Sequence, residues 1–309
     1  MWDKKHLLGL EELSADDITE LLDKAQEYRT TALDEDKPCE ALSGRRVVLL
    51  FFENSTRTRV SFEFAGERLG AGVTALSMDA SSVKKGESLI DTVCTIDSMG
   101  VDFMVVRHSS SGAAKLISEV VSASVINAGD GTHEHPTQGL LDMLTIRQRR
   151  GTIKGLRVGI VGDVLHSRVA RSNLFGLTKL GASVVLIGPP TLVPDSFKSL
   201  GAEISNNLDD VIHQCDVLNM LRIQRERLDG AYFPSVREYC ELYQLNRARM
   251  LRAKSDVLVM HPGPMNRGIE ITPDVADGVN SVILEQVSNG VAVRMGVLDV
   301  LNEARGSSC

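Results

Sequence analysis

The sequence lacks the features that mark membrane, secreted and nucleic-acid-binding proteins. No apolar run approaches the ~20 residues that a membrane span needs, and residues 1–6 lead into an acidic helical segment without the hydrophobic region of a signal peptide. Lys and Arg number 34 against 41 Asp and Glu, which gives a net charge of −7. This surface does not attract nucleic acid or anionic membranes, so we expect neither as a partner, and any anion site must be local.

Paired or clustered cysteines are also missing. The five cysteines are odd in number and widely spread, and none forms C-x-x-C: Cys39, Cys94, Cys215, Cys240 and Cys309. The sequence therefore suggests neither a disulfide framework nor a zinc site, and a reducing cytoplasm is the expected compartment.

What the chain contains is an alternation of strands and helices. At 309 residues it suits two domains with one core each, and the alternation breaks at Gly151. We predict an α/β fold of two tandem domains, residues 1–150 and 151–309, each a mainly parallel sheet flanked by helices. The predicted strands are residues 47–52, 73–76, 103–106, 124–126, 156–161, 183–187, 217–220 and 257–260. The predicted helices are residues 16–28, 58–69, 88–99, 113–121, 136–149, 168–180, 208–214 and 281–303.

The most informative segment lies between the first predicted strand and the helix after it. Ser55, Thr56 and Thr58 place three hydroxyls there, and Arg57 adds a permanent cation. The first N–H groups of a helix have no internal partners, its dipole favours an anion, and arginine suits phosphate oxygens. The segment predicts a phosphate cradle, although a helix cap beside a solvated arginine would look similar. It is not a P-loop, because G-x-x-x-x-G-K-[ST] is absent.

Phe52 to Arg59 also reads F-x-x-S-T-R-T-R, which resembles the carbamoyl-phosphate signature of the aspartate and ornithine carbamoyltransferases. The resemblance implies that Ser55, Thr56 and Arg57 hold the phosphate of carbamoyl phosphate and that Thr58 stabilises the carbonyl oxygen during reaction. It further implies an active site in the cleft between the two domains, with the last helix packed back on the first domain.

The loop of residues 81–88 contains paired lysines. On its residues alone it is either a solvated turn or a source of positive potential near a dianion. It resembles the family's mobile loop, which enters the site of the neighbouring subunit. The resemblance implies that Ser81 and Lys85 complete a site shared within a homotrimer, and that Lys85 contacts both substrates.

Two further segments of the first half carry polar residues after predicted strands. Arg107 follows one strand and matches the family's arginine for the carbamoyl oxygen and phosphate. His135-Pro136-Thr137-Gln138 resembles the family's H-P-T-Q, which implies that His135 donates to the carbonyl oxygen and that Gln138 binds the carbamoyl amide. H-E-x-x-H is absent, so a zinc protease is excluded; His133 is expected to be structural, and no metal is expected.

The second half carries the residues that would choose the acceptor. Arg168 matches an arginine that binds the amino-acid substrate, and Arg222 with Gln224 matches the R-x-Q of aspartate enzymes. A second carboxylate on the acceptor calls for such a bidentate cation, although a basic cluster of this kind is often only a solvated loop. Gly263 and Pro264 belong to the family's H-P-x-P, whose backbone carbonyls accept from substrate amides.

The glycines of residues 159–163 do not follow G-x-G-x-x-G, so they indicate tight packing after a strand and not a dinucleotide site. The H-C-L-P usual in ornithine enzymes is absent. Taken together, the resemblance implies transfer of a carbamoyl group from carbamoyl phosphate to L-aspartate in pyrimidine synthesis, without a cofactor. An ornithine carbamoyltransferase and a non-catalytic phosphate-binding module are the alternatives. The sequence leaves open whether regulatory chains or a dihydroorotase bind.

Overall fold

The chain forms two compact units. The computed structural model describes residues 2–31, 39–77, 88–223 and 235–306. The first unit contains Met1–Leu144 together with Ser288–Cys309, and the second contains Thr145–Val287. Within the described residues, no helix combines the length and the apolar character required to cross a membrane.

The first unit contains a four-stranded sheet in the order β2-β1-β3-β4, with every pairing parallel. The β-branched and leucine residues of its central strands are buried, as expected for strands covered on both faces. The strands are β1 (Arg46–Phe51), β2 (Gly72–Ser77), β3 (Phe103–His108) and β4 (Ser124–Asp130). The helices are α1 (Ala15–Thr31), α2 (Thr56–Arg68), α3 (Leu89–Asp97), α4 (Ala113–Ser118) and α5 (Pro136–Arg150), the last of which continues into the second unit.

The second unit contains a five-stranded sheet in the order β7-β6-β5-β8-β9, again with parallel pairings. Its strands are β5 (Arg157–Val161), β6 (Ser183–Ile187), β7 (Glu203–Ser205), β8 (Val217–Met220) and β9 (Leu258–Met260). Its helices are α6 (Arg168–Lys179), α7 (Leu208–Val211), α8 (Val236–Tyr243), α9 (Arg247–Met250) and α10 (Pro273–Ala276). Helix α11 (Ile283–Gly306) begins in this unit and continues, from Ser288 onward, as part of the first.

The α/β class, the parallel sheets and their flanking helices confirm the predicted fold class. Several boundaries differ. Helix α2 begins at Thr56 and not at residue 58, so Ser55 is its N-cap. Strands β3 and β4 extend to His108 and Asp130, because each continues to pair with its neighbour beyond its apolar residues. The predicted helix of residues 208–214 is α7 followed by a 3-10 turn, Ile212–Gln214.

Candidate active site

In the first unit, the residues of the predicted phosphate cradle lie between β1 and the first turn of α2. Ser55 precedes the helix with extended backbone, φ −158° and ψ 93°, and its hydroxyl makes no capping hydrogen bond. No acidic residue occupies the first turn of α2. Thr56 and Arg57 are exposed, whereas Thr58 is 8% exposed. The start of α2 therefore combines hydroxyls, N–H groups and a cation with no carboxylate on its own first turn, as an anion site requires.

Arg107 lies beside this cradle because β1 and β3 are neighbours. Phe51 and Arg107 are register partners, and the Phe52 N–H donates to the Arg107 carbonyl at 2.9 Å. The guanidinium donates from Nη2 to Glu53 Oε1 at 2.9 Å and from Nη1 to the Ala128 carbonyl at 3.2 Å. These contacts fix the plane of a largely buried cation at the carboxyl end of β3.

His135 and Gln138 follow the next strand, β4. Pro136 is the first residue of α5, a position where its missing N–H costs nothing. The His135 carbonyl accepts from the N–H groups of Gln138 and Gly139, at 3.0 and 3.1 Å. His135 is buried, and Gln138 Nε2 donates to Asp142 Oδ1 at 3.0 Å, which orients its amide. The sheet order thus brings the polar residues that follow or end β1, β3 and β4 to the carboxyl end of the sheet.

His133, Glu134 and Glu11 are the one group within the described residues whose side-chain atoms could together hold a metal ion. The Glu134 carboxylate already accepts from the N–H groups of Leu10 and Glu11, at 2.8 to 3.1 Å. His133 Nδ1 lies 3.1 Å from Asp130, and this contact raises the pKa of His133. The Glu134 carboxylate thus links this turn to residues 10 and 11, whereas His133 is paired within the turn. The structural role of His133 stays a prediction.

In the second unit, Arg168 is the first residue of α6, after β5. Ser167 is the N-cap, and its hydroxyl accepts from the Ala170 N–H at 3.1 Å. Asp163 is buried and binds His166 Nδ1 at 2.9 Å, which closes the turn between strand and helix. Gly162 has φ 124°, which residues with a side chain rarely adopt, and a Cβ there would lie 3.0 Å from the Tyr239 hydroxyl. Arg168 is 8% exposed, a restrained position for a cation.

Arg222 follows β8, and a buried carboxylate holds the chain directly after it. Glu270 Oε1 accepts from the Ile223 N–H at 2.8 Å, and Asn266 Nδ2 donates to the Ile223 carbonyl at 3.0 Å. Asn266 in turn donates to both oxygens of Glu270. Burial raises the pKa of Glu270, although hydrogen bonds from Ile223 and Asn266 oppose the shift. Glu270 and Asn266 thereby position the backbone that carries Arg222.

Residues 261–264 follow β9. The His261 N–H donates to Gln286 Oε1 at 3.0 Å, and the Gly263 N–H donates to His261 Nδ1 at 2.8 Å. Gly263 has φ 65°, and its peptide bond to Pro264 is cis. Strands β5, β8 and β9 are adjacent and parallel, so Arg168, Arg222 and this turn all follow strands at the carboxyl end of the second sheet.

The predictions for Ser81, Lys85 and Gln224 lie outside the described residues. Sequence reasoning missed Glu53 as the partner of Arg107, although Glu53 lies only two residues before Ser55. It also missed Glu270 as the group that holds the backbone after Arg222. An acidic residue two positions before Ser55 could have suggested a partner for a nearby arginine. Nothing local marks Glu270, whose contact with Ile223 spans 47 residues.

Comparison with known proteins identifies both units. The carbamoyl-P binding domain of aspartate/ornithine carbamoyltransferase matches residues 5–148, and the Asp/Orn binding domain of the same family matches residues 154–301. The aspartate carbamoyltransferase catalytic subunit of Syntrophus aciditrophicus is 50% identical over 303 residues, which cover 98% of this chain and 99% of that protein.

Solved structures agree with this assignment. Trypanosoma cruzi aspartate transcarbamoylase in complex with N-(phosphonacetyl)-L-aspartic acid is 33% identical, with a TM-score of 0.87 over 96% of this chain and 95% of that chain. Pyrococcus furiosus ornithine carbamoyltransferase is 30% identical, with a TM-score of 0.84 over 95% of each chain. Enzymes with different acceptors therefore share this fold, and the acceptor must be argued from side chains.

Proposed function

Because the chain belongs to the aspartate/ornithine carbamoyltransferase family, we propose that it transfers the carbamoyl group of carbamoyl phosphate to the amine of L-aspartate. The products are N-carbamoyl-L-aspartate and phosphate. The observation that carries the proposal is the arrangement of each parallel sheet, in which three adjacent strands end in or lead into residues that we propose to act in the reaction. The curated relative from Syntrophus aciditrophicus is named for this activity.

In the first unit, the start of α2 would hold the phosphate through Ser55, Thr56 and Arg57. Thr58, Arg107 and His135 would stabilise the negative charge that grows on the carbonyl oxygen when the amine attacks. Gln138 would bind the carbamoyl amide, with Asp142 fixing its orientation. The departing phosphate would take the proton from the amine, since no side chain among these is an evident general base.

In the second unit, Arg168 and Arg222 would hold the two carboxylates of aspartate, with Gln224 completing the set. The carbonyls at Gly263 and Pro264 would accept from the carbamoyl amide. Binding both carboxylates orients the amine and converts a bimolecular step into an oriented one. An arginine beside the acceptor's side chain favours aspartate over ornithine, whose side-chain ammonium it would repel.

We also propose a homotrimer in which Ser81 and Lys85 act in the site of the neighbouring subunit, with Lys85 contacting carbamoyl phosphate and aspartate. The reaction would belong to pyrimidine biosynthesis in the cytoplasm and would need no metal or organic cofactor. These proposals rest on the resemblance of residues 81–88 and on the family.

The test is to incubate the protein with carbamoyl phosphate and either L-aspartate or L-ornithine and to measure the ureido product by a colour assay. We expect product with aspartate and none with ornithine. Product with ornithine alone would make the chain an ornithine enzyme. No product with either acceptor, together with retained phosphate binding, would favour a non-catalytic phosphate-binding module.

A further inference from the structure

Arg294 is a buried arginine whose charge no carboxylate neutralises within the described residues. It lies in α11, in the part that belongs to the first unit, and is 3% exposed. Its Nη1 donates to Ser61 Oγ at 3.0 Å and to the Gly290 carbonyl at 2.8 Å, and its guanidinium carbon lies 5.0 Å from the centre of the Phe62 ring. Its Nε is buried without a hydrogen-bond partner among the described residues.

Such a group is costly to the folded chain. A buried charge is normally paired, because removal from water disfavours the charged form and hydroxyl and carbonyl groups offset this only in part. Burial, and then repulsion from the nearby positive charge of Arg107, lowers the pKa of Arg294 to about 9. Arg294 remains protonated at neutral pH, so the first unit carries an uncompensated positive charge in its interior.

The Arg294 guanidinium occupies the space beside Gly290, where a larger residue would place its Cβ. A Cβ at Gly290 would lie 2.6 Å from Arg294 Nη1 and 3.3 Å from Leu141 Cδ2. A side chain at position 290 would therefore displace the guanidinium from its place over the helix. Glycine inside a helix is itself unfavourable by roughly 1 kcal/mol relative to alanine. Two unfavourable features, a glycine and a buried cation, thus occur together at one place.

The position of Arg294 shows what its charge can act on. Ser61 is five residues after Thr56, the first residue of α2, and at 1.5 Å per residue the guanidinium lies roughly 8 Å along the axis from the start of the helix. The first turn of α2 carries no acidic residue. The start of α2 therefore lies within range of the field of Arg294, which has the same sign as the helix dipole there.

We propose that Arg294 is the buried counter-charge for the phosphate dianion held at the start of α2. It binds no substrate atom and acts through the electrostatic potential of the cradle. This inference rests on the proposed function. It explains why an unpaired cation persists in the interior: the negative charge of the bound phosphate compensates it, so the charge weakens the empty protein and strengthens the complex.

The experiment compares Arg294→Met, which removes the charge at similar volume, with Arg294→Lys, which keeps it. Arg305→Met is the matched control, because Arg305 also lies on α11 and faces an aromatic ring, that of Phe103, but is paired with Asp102. Calorimetry measures the affinity for inorganic phosphate, thermal melting measures stability without ligand, and kinetics give KM for carbamoyl phosphate and kcat separately.

We expect Arg294→Met to weaken phosphate binding and raise KM for carbamoyl phosphate by at least about tenfold, because a unit charge acts on each negative charge of the phosphate with that effect at roughly 10 Å in a medium of effective dielectric about 20. The charge acts equally on bound substrate and transition state, so kcat should change less than about threefold. Its unliganded melting temperature should equal or exceed that of the wild type. Arg294→Lys should stay within about threefold of wild-type affinity, and Arg305→Met should bind phosphate as the wild type does.

Equal phosphate affinity in Arg294→Met and the wild type would overturn the inference while leaving the proposed function intact. Failure of Arg294→Met to fold, or a marked fall in its unliganded melting temperature, would also overturn it, because the fold would then need the arginine. Failure of the wild type to bind phosphate or to form product would instead reject the proposed function.

Discussion

Arg107 and Glu53 form an ion pair at the carboxyl edge of the first sheet, with Arg107 Nη2 donating to Glu53 Oε1 at 2.9 Å. The side chains are 11% and 20% exposed, so water screens the pair only in part. Arg107 is the cation that we expect to meet the carbonyl oxygen and the phosphate. Glu53 therefore orients the Arg107 guanidinium. Its negative charge also competes with the substrate for that cation.

The pair predicts an asymmetric result. Arg107→Met should lower turnover by about a hundredfold or more, as loss of a preorganised oxyanion donor does. It should also destabilise the fold by about 1–3 kcal/mol, because Glu53 is left without its cation. Adding Glu53→Gln should recover part of the stability and none of the turnover, as measured by denaturant unfolding and steady-state kinetics. Additive losses of stability in the double variant would show that the two groups do not interact.

The phosphate cradle predicts that Arg57→Ala lowers turnover severely while the fold survives. One charge-assisted contact to the leaving phosphate is lost, worth on the order of 3 kcal/mol or about a hundredfold in rate. Arg68→Ala is the control, since Arg68 is exposed at the other end of the same helix. Normal turnover in Arg57→Ala, with a native melting curve, would remove Arg57 from the mechanism.

The acceptor site predicts that Arg222→Ala weakens aspartate binding far more than carbamoyl phosphate binding. Glu270→Gln should do the same to a smaller degree, by about three- to tenfold, because a neutral acceptor holds the Ile223 N–H less firmly. The control is Arg237→Ala, an exposed arginine paired with Glu241. Calorimetric titration of each ligand separately measures the losses of aspartate affinity and of carbamoyl phosphate affinity. An equal loss of both affinities would make Arg222 structural.

The proposed trimer predicts that no site is complete within one chain. Arg57→Ala and Lys85→Ala should each be nearly inactive. When the two variants are dissociated, mixed and reassociated, some sites should combine an intact cradle from one chain with an intact Lys85 from another, and activity should return. Ion exchange with a charge tag on one variant shows whether mixed trimers form. Mixed trimers without activity would mean that Lys85 acts within its own chain or not at all.

His6 predicts how stability depends on pH. Its Nδ1 accepts from the Val125 N–H at 3.0 Å, so this nitrogen must be unprotonated in the fold. Burial, and then the positive charges of Lys5, Lys115 and Arg305, lowers the pKa of His6 from 6.5 to about 4. Between these values the unfolded chain binds more protons than the folded chain.

The free energy of unfolding should therefore fall as pH decreases from about 6.5 to 4. His6→Gln, which keeps an acceptor but cannot titrate, should flatten this slope, whereas His213→Gln at an exposed position should not. Denaturant unfolding at several pH values measures the slope of the unfolding free energy against pH. The same slope in His6→Gln and the wild type would assign the pH dependence to other groups.

The sequence by itself determined the elements whose signals are local. The hydroxyls and arginine of Ser55–Thr58 fall at a junction between an apolar run and a helical pattern, and Pro136 marks the start of α5, so both positions followed from neighbouring residues alone. Ser183–Ile187 and Val217–Met220 are bounded as predicted, because buried parallel strands are short apolar runs. The parallel class followed from the alternation of strands and helices.

Only the tertiary structure decided the features that depend on distant residues. Strand β7 is short and lies at the edge of the sheet, so its pairing with β6 and not its own pattern defines it. The contacts of Glu53 with Arg107 and of Glu270 with Ile223 span 54 and 47 residues. Arg294 meets Ser61 across 233 residues. A sequence shows that a charged residue exists, but the burial and the partner of that residue depend on packing. Packing fixes the dielectric and the distance, and these set the electrostatic energy of the charge.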